Sequence, residues 1–163
     1  MKELKPKKKL GQHFLKDSNI AKKIVDALNH DDLKSIIEIG PGMGVLTDHL
    51  IPFKKKLKLV EIDFESVKYL NKKYIDLNEN IIEKDFLKIN LKEFDSPIGM
   101  IGNFPYNISS QILFKMLENK SIVDQLVGMF QLEVAKRVCA PPGSKIYGIL
   151  SVLVQAFYNT EFL

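Results

Sequence analysis

The chain alternates between two spacings of its apolar residues. Short apolar runs predict five β-strands, at residues 35–40, 56–62, 80–85, 97–102 and 125–131. Stretches with apolar residues every three or four positions predict α-helices at residues 45–51, 64–77, 109–119, 132–140 and 147–157. A further helix near the N-terminus has Asp17 or Ser18 as its cap and carries its apolar face on Ile20, Ile24, Val25 and Leu28. Residues 160–163, "TEFL", resemble the beginning of another strand.

This alternation of strand and helix predicts an α/β fold with a mostly parallel sheet and helices on both faces. Ligands of such sheets bind beside the carboxyl ends of the strands. We therefore expect functional residues directly after the predicted strands. Four segments occupy such positions: Gly40–Gly44, Glu61–Asp63, Asp85–Phe86 and Asn103–Tyr106.

Length and composition limit the class of protein. A chain of 163 residues, 45% hydrophobic and 27% charged, suits one globular domain with a core. Its apolar runs are too interrupted to span a bilayer, and residues 1–9 lack the apolar stretch of a secretory signal. Cys139 is the single cysteine, so a disulfide within the chain is excluded, and with three scattered histidines we predict no metal site. A reducing, cytoplasmic setting is expected.

Positive charge is concentrated at the N-terminus. The first nine residues, "MKELKPKKK", carry five Lys and one Glu and so account for the whole net charge of +4. Clustered lysines are typical of a nucleic-acid-binding arm, which makes Lys5, Lys7, Lys8 and Lys9 candidate RNA contacts. A solvated, frayed terminus has the same composition, and charge alone does not separate the two interpretations.

The first two strand ends carry features of a nucleoside site. "EIGPGMG" places glycines at positions 40, 42 and 44, which lets the backbone turn tightly against a ligand. The spacing departs from the G-x-G-x-x-G dinucleotide fingerprint, so it favours a smaller nucleoside ligand. In "VEIDF", Glu61 can accept hydrogen bonds from ribose hydroxyls. Asp63 is predicted to cap the next helix.

The next two strand ends supply an acid, aromatic rings and an amide. Asp85 can accept a hydrogen bond from an adenine amino group, and Phe86 either packs on the base or belongs to the core. In "NFPY", the Asn103 side chain and the Phe104 carbonyl can accept from an amino group, while Tyr106 offers a stacking face. Pro105 makes this turn rigid. The four segments together resemble those of a class I S-adenosylmethionine-dependent methyltransferase, which implies a Rossmann-like sheet.

Five motifs narrow this resemblance: "KKKLGQHFL", "EIGPGMGVLT", "VEID", "GNFPYNIS" and "QLEVAKR". With them, residues 7–163 resemble the ribosomal RNA adenine dimethyltransferases, and among these the KsgA type, which dimethylates two adjacent adenines near the 3′ end of small-subunit ribosomal RNA. The resemblance implies S-adenosylmethionine as cofactor and immature small ribosomal subunits as partner, with no metal, no membrane association and a monomeric state.

The resemblance also implies roles for matching positions. His13, Leu15, Gly40 and Gly42 would lie against the cofactor; His13 stands where many relatives carry Asn, and it is equally interpretable as a solvated loop residue. Glu61 would hold the ribose, Asp85 and Phe86 the cofactor adenine, and Asn103 would border both cofactor and target base. Asn103, Phe104, Pro105 and Tyr106 would form the catalytic turn.

The expected organisation is a basic arm and cofactor-contacting loop at residues 1–16 and a methyltransferase domain at residues 17–163. Relatives continue into a small helical domain, so we expect this chain to stop within its last strands and to methylate weakly by itself. Three alternatives remain: a large-subunit ribosomal RNA adenine methyltransferase of the macrolide-resistance type, a non-catalytic RNA-binding relative, and a nicotinamide-dependent oxidoreductase. The glycine spacing and "NFPY" argue against the last.

Overall fold

Five parallel strands form the sheet predicted from the short apolar runs. The computed structural model describes Lys7 and residues 15–163. Its strands are β1 (Ser35–Ile39), β2 (Leu57–Glu61), β3 (Ile81–Glu83), β4 (Ile98–Asn103) and β5 (Val123–Met129), in the spatial order β3-β2-β1-β4-β5. The order reverses between β1 and β4, which opens a crevice at the carboxyl ends of these strands.

Six helices accompany the sheet within the described residues. They are α1 (Ser18–Asp26), α2 (Thr47–Leu50), α3 (Phe64–Lys73), α4 (Ser109–Glu118), α5 (Leu132–Val138) and α6 (Ile149–Gln155). The two predicted caps are confirmed, because Asp17 accepts from the backbone of Asn19 and Asp63 from that of Ser66. No helix in this part of the chain is long and apolar enough to cross a bilayer.

Alternate residues of each strand enter two separate cores. On β1, Ile36 packs with α1, α2 and α3, whereas Ile37 and Ile39 pack with α4 and α6. Successive side chains of a strand point to opposite faces, so the helices cover both faces of the sheet, as predicted. Glu38 follows the same alternation and therefore lies on the face of Ile36, inside the first core.

Three sequence predictions about element ends are wrong. The helix predicted at residues 45–51 is shorter, because α2 spans only Thr47–Leu50; Pro52 lies in a 3-10 turn, Ile51–Phe53, where the proline needs no donor at the start of a helical turn. The α3 helix ends at Lys73 rather than Leu77, and a 3-10 turn, Ile75–Asn80, follows. Residues 160–163 join no strand ladder, and the last three of them are exposed, so the expected additional strand is not formed.

Candidate active site

A cavity opens at the carboxyl edge of the sheet, where β1 and β4 meet. Leu15 and the segments after four strands line it: residues 39–43, 45–46, 60–62, 84–87, Asn103, Pro105 and 107–108. The gathering of the four predicted segments at one site is therefore observed. Gly40 and Pro105 face each other across it, because a Cβ built on Gly40 would lie 3.9 Å from the proline ring.

Helix α3 supports the glycine-rich turn from behind. Gly40, Gly42 and Gly44 all have positive φ angles, between 56° and 78°. The Tyr74 hydroxyl donates to the Gly44 carbonyl at 2.7 Å and lies so close that a Cβ on Gly44 would meet its oxygen at 2.3 Å. Lys73 Nζ donates to the Met43 carbonyl at 3.3 Å. Glycine at position 44 is thus required by the tyrosine as well as by the turn.

Glu61 joins the glycine-rich turn to the loop after β2. Its side chain is almost fully buried, and its two carboxylate oxygens accept from the backbone N–H groups of Gly42 at 3.0 Å and Asp63 at 2.9 Å. Burial raises the pKa of Glu61, and these two hydrogen bonds oppose that rise. Each oxygen keeps a further lone pair, so the carboxylate, fixed at the cavity wall, fits the two hydroxyls of a ribose.

Glu38 is a second buried carboxyl group, which the sequence analysis did not single out. It is completely buried behind the turn, where its Oε2 accepts from Thr47 Oγ1 at 2.7 Å. Its Oε1 has no hydrogen-bond partner among the described residues. Burial raises the pKa of Glu38 to about 8, against the Thr47 hydrogen bond and with help from the charges of Glu61 and Asp48. A glutamate inside the apolar run "SIIEIG" was the available signal.

The loop after β3 forms the third wall of the cavity. Asp85 Oδ1 accepts from the backbone N–H of Leu87 at 3.0 Å and so begins a 3-10 turn, Phe86–Lys88. The Phe86 side chain is buried in the second core and also borders the cavity. The ring therefore belongs to the core, and its packing on a base stays a prediction.

The "NFPY" turn is anchored by the Phe104 ring. Phe104 is fully buried, its backbone N–H donates to the Met129 carbonyl at 3.0 Å, and its ring packs 4.7 Å from that of Phe130. On β5, a Cβ at Gly128 would lie 2.4 Å from the Phe104 ring, so that strand needs glycine there. The turn is rigid because of this packing as well as because of Pro105.

Asn103 and Tyr106 differ in their relation to the cavity. Asn103 ends β4 and lines the cavity, as predicted. The cavity lining does not include Phe104 or Tyr106. Tyr106 is half-buried beside it, and its carbonyl accepts from Ser109 Oγ at 3.3 Å. Its stacking role stays a prediction.

Lys7 contacts the loop that carries Glu61. Its Nζ lies 2.5 Å from Asp63 Oδ1 and 3.1 Å from Glu65 Oε2. Burial opposes ionisation of Asp63, but hydrogen bonds from Lys7 and Ser66 prevail and lower its pKa. The other arm residues with predicted roles, Lys5, Lys8, Lys9 and His13, lie outside the described residues.

Among the residues that the structure describes, no group of three or more His, Cys, Asp or Glu side chains is placed to hold a metal ion. The polar groups at the cavity are instead carboxylates, an amide and backbone N–H and C=O groups. Such groups can donate and accept the hydrogen bonds that a nucleoside offers.

Comparison with known proteins identifies the family. Residues 3–163 match the family described as "Ribosomal RNA adenine dimethylase". The chain belongs to this dimethylase family. The whole chain is 56% identical to the ribosomal RNA small subunit methyltransferase A of Bacteroides fragilis, of which it covers 61%. It thus spans about three fifths of the length of this curated relative.

Solved structures of the dimethylase fold agree with the sheet and helices seen here. A dimethyladenosine transferase from Plasmodium falciparum superimposes with a TM-score of 0.76 and 32% identity over 88% of this chain and 52% of that one. The 23S rRNA methyltransferase ErmE superimposes with a TM-score of 0.68 and 27% identity over 80% of this chain and 53% of that one. The fold is therefore that of class I S-adenosylmethionine-dependent methyltransferases, as the sequence predicted.

Proposed function

We propose that this dimethylase-family chain binds S-adenosylmethionine in the cavity and carries the methyl-transfer site for two adjacent adenines near the 3′ end of small-subunit ribosomal RNA. The main support for this proposal is the position of Glu61. Its buried carboxylate accepts hydrogen bonds from the backbone N–H groups of Gly42 and Asp63 and lies at the wall of the cavity. The same cavity is lined by Asn103 and Pro105 of the "NFPY" turn. A ribose acceptor and an amino-group acceptor, Asn103, thus share one site.

The cavity walls fit the parts of the cofactor. Glu61 would hold the ribose hydroxyls, Asp85 the adenine amino group and the backbone around Gly40 the methionine portion, with Leu15 against it. Phe86 would supply an apolar wall beside the adenine. S-adenosylmethionine supplies a methyl group already activated by its sulfonium, so no metal is required.

The residues of the turn would orient the target base. The Asn103 side-chain oxygen and the Phe104 carbonyl would accept the two amino hydrogens of an adenine and aim its nitrogen lone pair at the methyl group. Tyr106 would stack on a base taken out of its RNA stack. No base needs to act before the attack, because the amine becomes acidic only after it is alkylated. The site would therefore accelerate the reaction by orienting the base and by electrostatic stabilisation.

The proposed substrate follows the name of the relative from Bacteroides fragilis, a small-subunit methyltransferase. Immature small ribosomal subunits are the expected partner, in the cytoplasm, with the protein acting as a monomer. ErmE, at 27% identity, represents the large-subunit alternative, and the higher identity to the small-subunit enzyme favours the small subunit.

Calorimetry with S-adenosylmethionine and with NAD tests the cofactor. We expect binding of the first and none of the second, whereas binding of NAD alone would overturn the proposal. Methyl transfer to immature small subunits, naked small-subunit RNA and large-subunit RNA then tests the substrate. Methyl transfer confined to large-subunit RNA would instead indicate a large-subunit ribosomal RNA methyltransferase. Cofactor binding without methyl transfer to any of these RNAs would indicate a non-catalytic relative.

Replacing Asn103 tests the catalytic turn. We expect Asn103→Ala to lower the rate of methyl transfer by about a hundredfold, because an acceptor for the target amino group is lost. The rate is compared at saturating cofactor, with the cofactor affinity measured separately. Asn78→Ala, at an exposed position away from the cavity, is the matched control and should behave as wild type. Near-normal transfer by Asn103→Ala, with cofactor binding unchanged, would refute the assigned role.

A further inference from the structure

The loop after β3 has its position fixed by a side chain from another element. Lys115, on α4, directs its Nζ to the carbonyl oxygens of Leu87 at 3.0 Å and Ile89 at 2.6 Å. The same ammonium lies 5.5 Å from the centre of the Phe86 ring. One half-buried lysine thus contacts three successive parts of this loop.

Lys115 and Asp85 both form hydrogen bonds with the backbone of Leu87. The Leu87 N–H donates to Asp85 Oδ1 at 3.0 Å, and the Leu87 carbonyl accepts from Lys115. Both backbone groups of Leu87 are therefore used, one for the carboxylate and one for the lysine. Loss of the lysine would leave two carbonyls in a partly desolvated position without this donor and would loosen the turn that orients Asp85.

The electrostatic environment agrees with this geometry. Burial lowers the pKa of Lys115, and the negative charges of Glu118 and Asp85 oppose that change. Lys115 therefore adds a positive charge within reach of Asp85. Helix α4, which carries Lys115, begins at Ser109, directly after the turn that contains Asn103 and Tyr106. The lysine thus joins the β3 wall of the cavity to the element that follows the catalytic turn.

We propose that Lys115 is a positioning residue that sets the adenine subsite of the cavity by holding Asp85 and Phe86 in register with helix α4. This inference rests on the proposed cofactor site. Asp85 can accept a hydrogen bond from the adenine amino group only when its carboxylate is correctly oriented. Lys115, although it lies outside the cavity, would therefore help the site to distinguish adenine from other purines.

Calorimetry with S-adenosylhomocysteine and S-inosylhomocysteine tests the proposal. The inosyl compound carries an oxygen acceptor in place of the adenine amino group, so a correctly placed Asp85 should reject it. We expect Lys115→Met to weaken binding of the adenosyl compound about tenfold and to change binding of the inosyl compound little. The preference for adenine should therefore fall about tenfold. A merely structural role would weaken both ligands equally and keep the ratio.

Two further variants complete the experiment. Lys115→Arg keeps the charge and should restore most of the preference. Lys115→Gln removes the charge and shortens the side chain, and it replaces the Met variant if that variant does not fold. Lys92→Met, at an exposed lysine just beyond the loop, should leave the preference unchanged. An unchanged preference in the Met or Gln variant, or a wild type that binds both compounds equally, would overturn the inference. A wild type that binds neither compound would instead refute the proposed function.

Discussion

Glu38 is a carboxyl group enclosed in the core behind the glycine-rich turn, bonded through one oxygen to Thr47. Enclosing a carboxylate costs free energy unless the group is paired or protonated. With its pKa raised to about 8, Glu38 holds its proton in the folded chain at neutral pH. The protonated carboxyl lets one side chain bond Thr47 without burying a full negative charge next to Glu61.

This raised pKa predicts how stability depends on pH. Below the ordinary value of 4.5, the folded and unfolded chains both carry the proton, and the stability contribution is fully present. Between 4.5 and about 8, unfolding releases the proton, so the free energy of unfolding should fall as pH rises. Glu38→Gln should flatten this fall, measured by urea denaturation from pH 5 to 8.5.

The matched control for Glu38→Gln is Glu118→Gln, at an exposed glutamate of α4, which should keep the wild-type slope. Glu61, whose pKa is also raised, contributes a slope of the same sign that remains in both variants. Equal slopes for wild type and Glu38→Gln would show that Glu38 is ionised in the folded chain.

At the scale of elements, the C-terminal end of α3 positions the glycine-rich turn through Lys73, its last residue, and Tyr74, which follows it. Tyr74 donates to the Gly44 carbonyl and lies 2.6 Å from Asp48 Oδ1, while Lys73 pairs with Asp48 at 2.8 Å. Burial and the contact with Asp48 raise the pKa of Tyr74, so its hydroxyl remains a donor. The end of α3 and the start of α2 are thereby tied to one peptide of the turn.

Removal of the Tyr74 hydroxyl should therefore affect the turn more than the fold. Tyr74→Phe keeps the ring in the core and loses the hydrogen bond to Gly44, so we expect about tenfold weaker binding of S-adenosylmethionine and a loss of about 1 kcal/mol in stability. Calorimetry and urea denaturation measure the two effects. Tyr69→Phe, on α3, is the control. A stability loss with unchanged cofactor affinity would contradict this role of α3.

The sequence predicted elements and strand ends better than the contacts between them. Glu61, Asp85 and Asn103 could be placed in one site because parallel strands deliver their carboxyl ends to one edge. Two contacts of the site instead join segments that are distant in the sequence: the hydrogen bond from Tyr74 to Gly44, and the packing of the Phe104 ring against Gly128. Periodicity within one segment carries no information about such pairs.

For the molecule as a whole, the excess positive charge lies in the first nine residues of the sequence. Lys7 is paired with Asp63 and Glu65, so part of that charge is neutralised by two carboxylates that follow Glu61 in the sequence. The charge proposed to contact RNA phosphates is therefore that of Lys5, Lys8 and Lys9. Lys54 and Lys55 lie before β2, at the opposite edge of the sheet from the cavity.

This arrangement predicts which lysines govern the salt dependence of RNA binding. Each phosphate contact on single-stranded RNA adds about 0.7 to the slope of log affinity against log salt, so Lys8→Ala combined with Lys9→Ala should reduce the slope by about 1.4. Lys54→Ala combined with Lys55→Ala removes the same charge and should leave the slope unchanged. Lys7→Ala should change the slope least among arm substitutions and instead weaken cofactor binding, because Asp63 donates its N–H to Glu61. Equal slopes for the two double variants would show that net charge, rather than the arm, attracts the RNA.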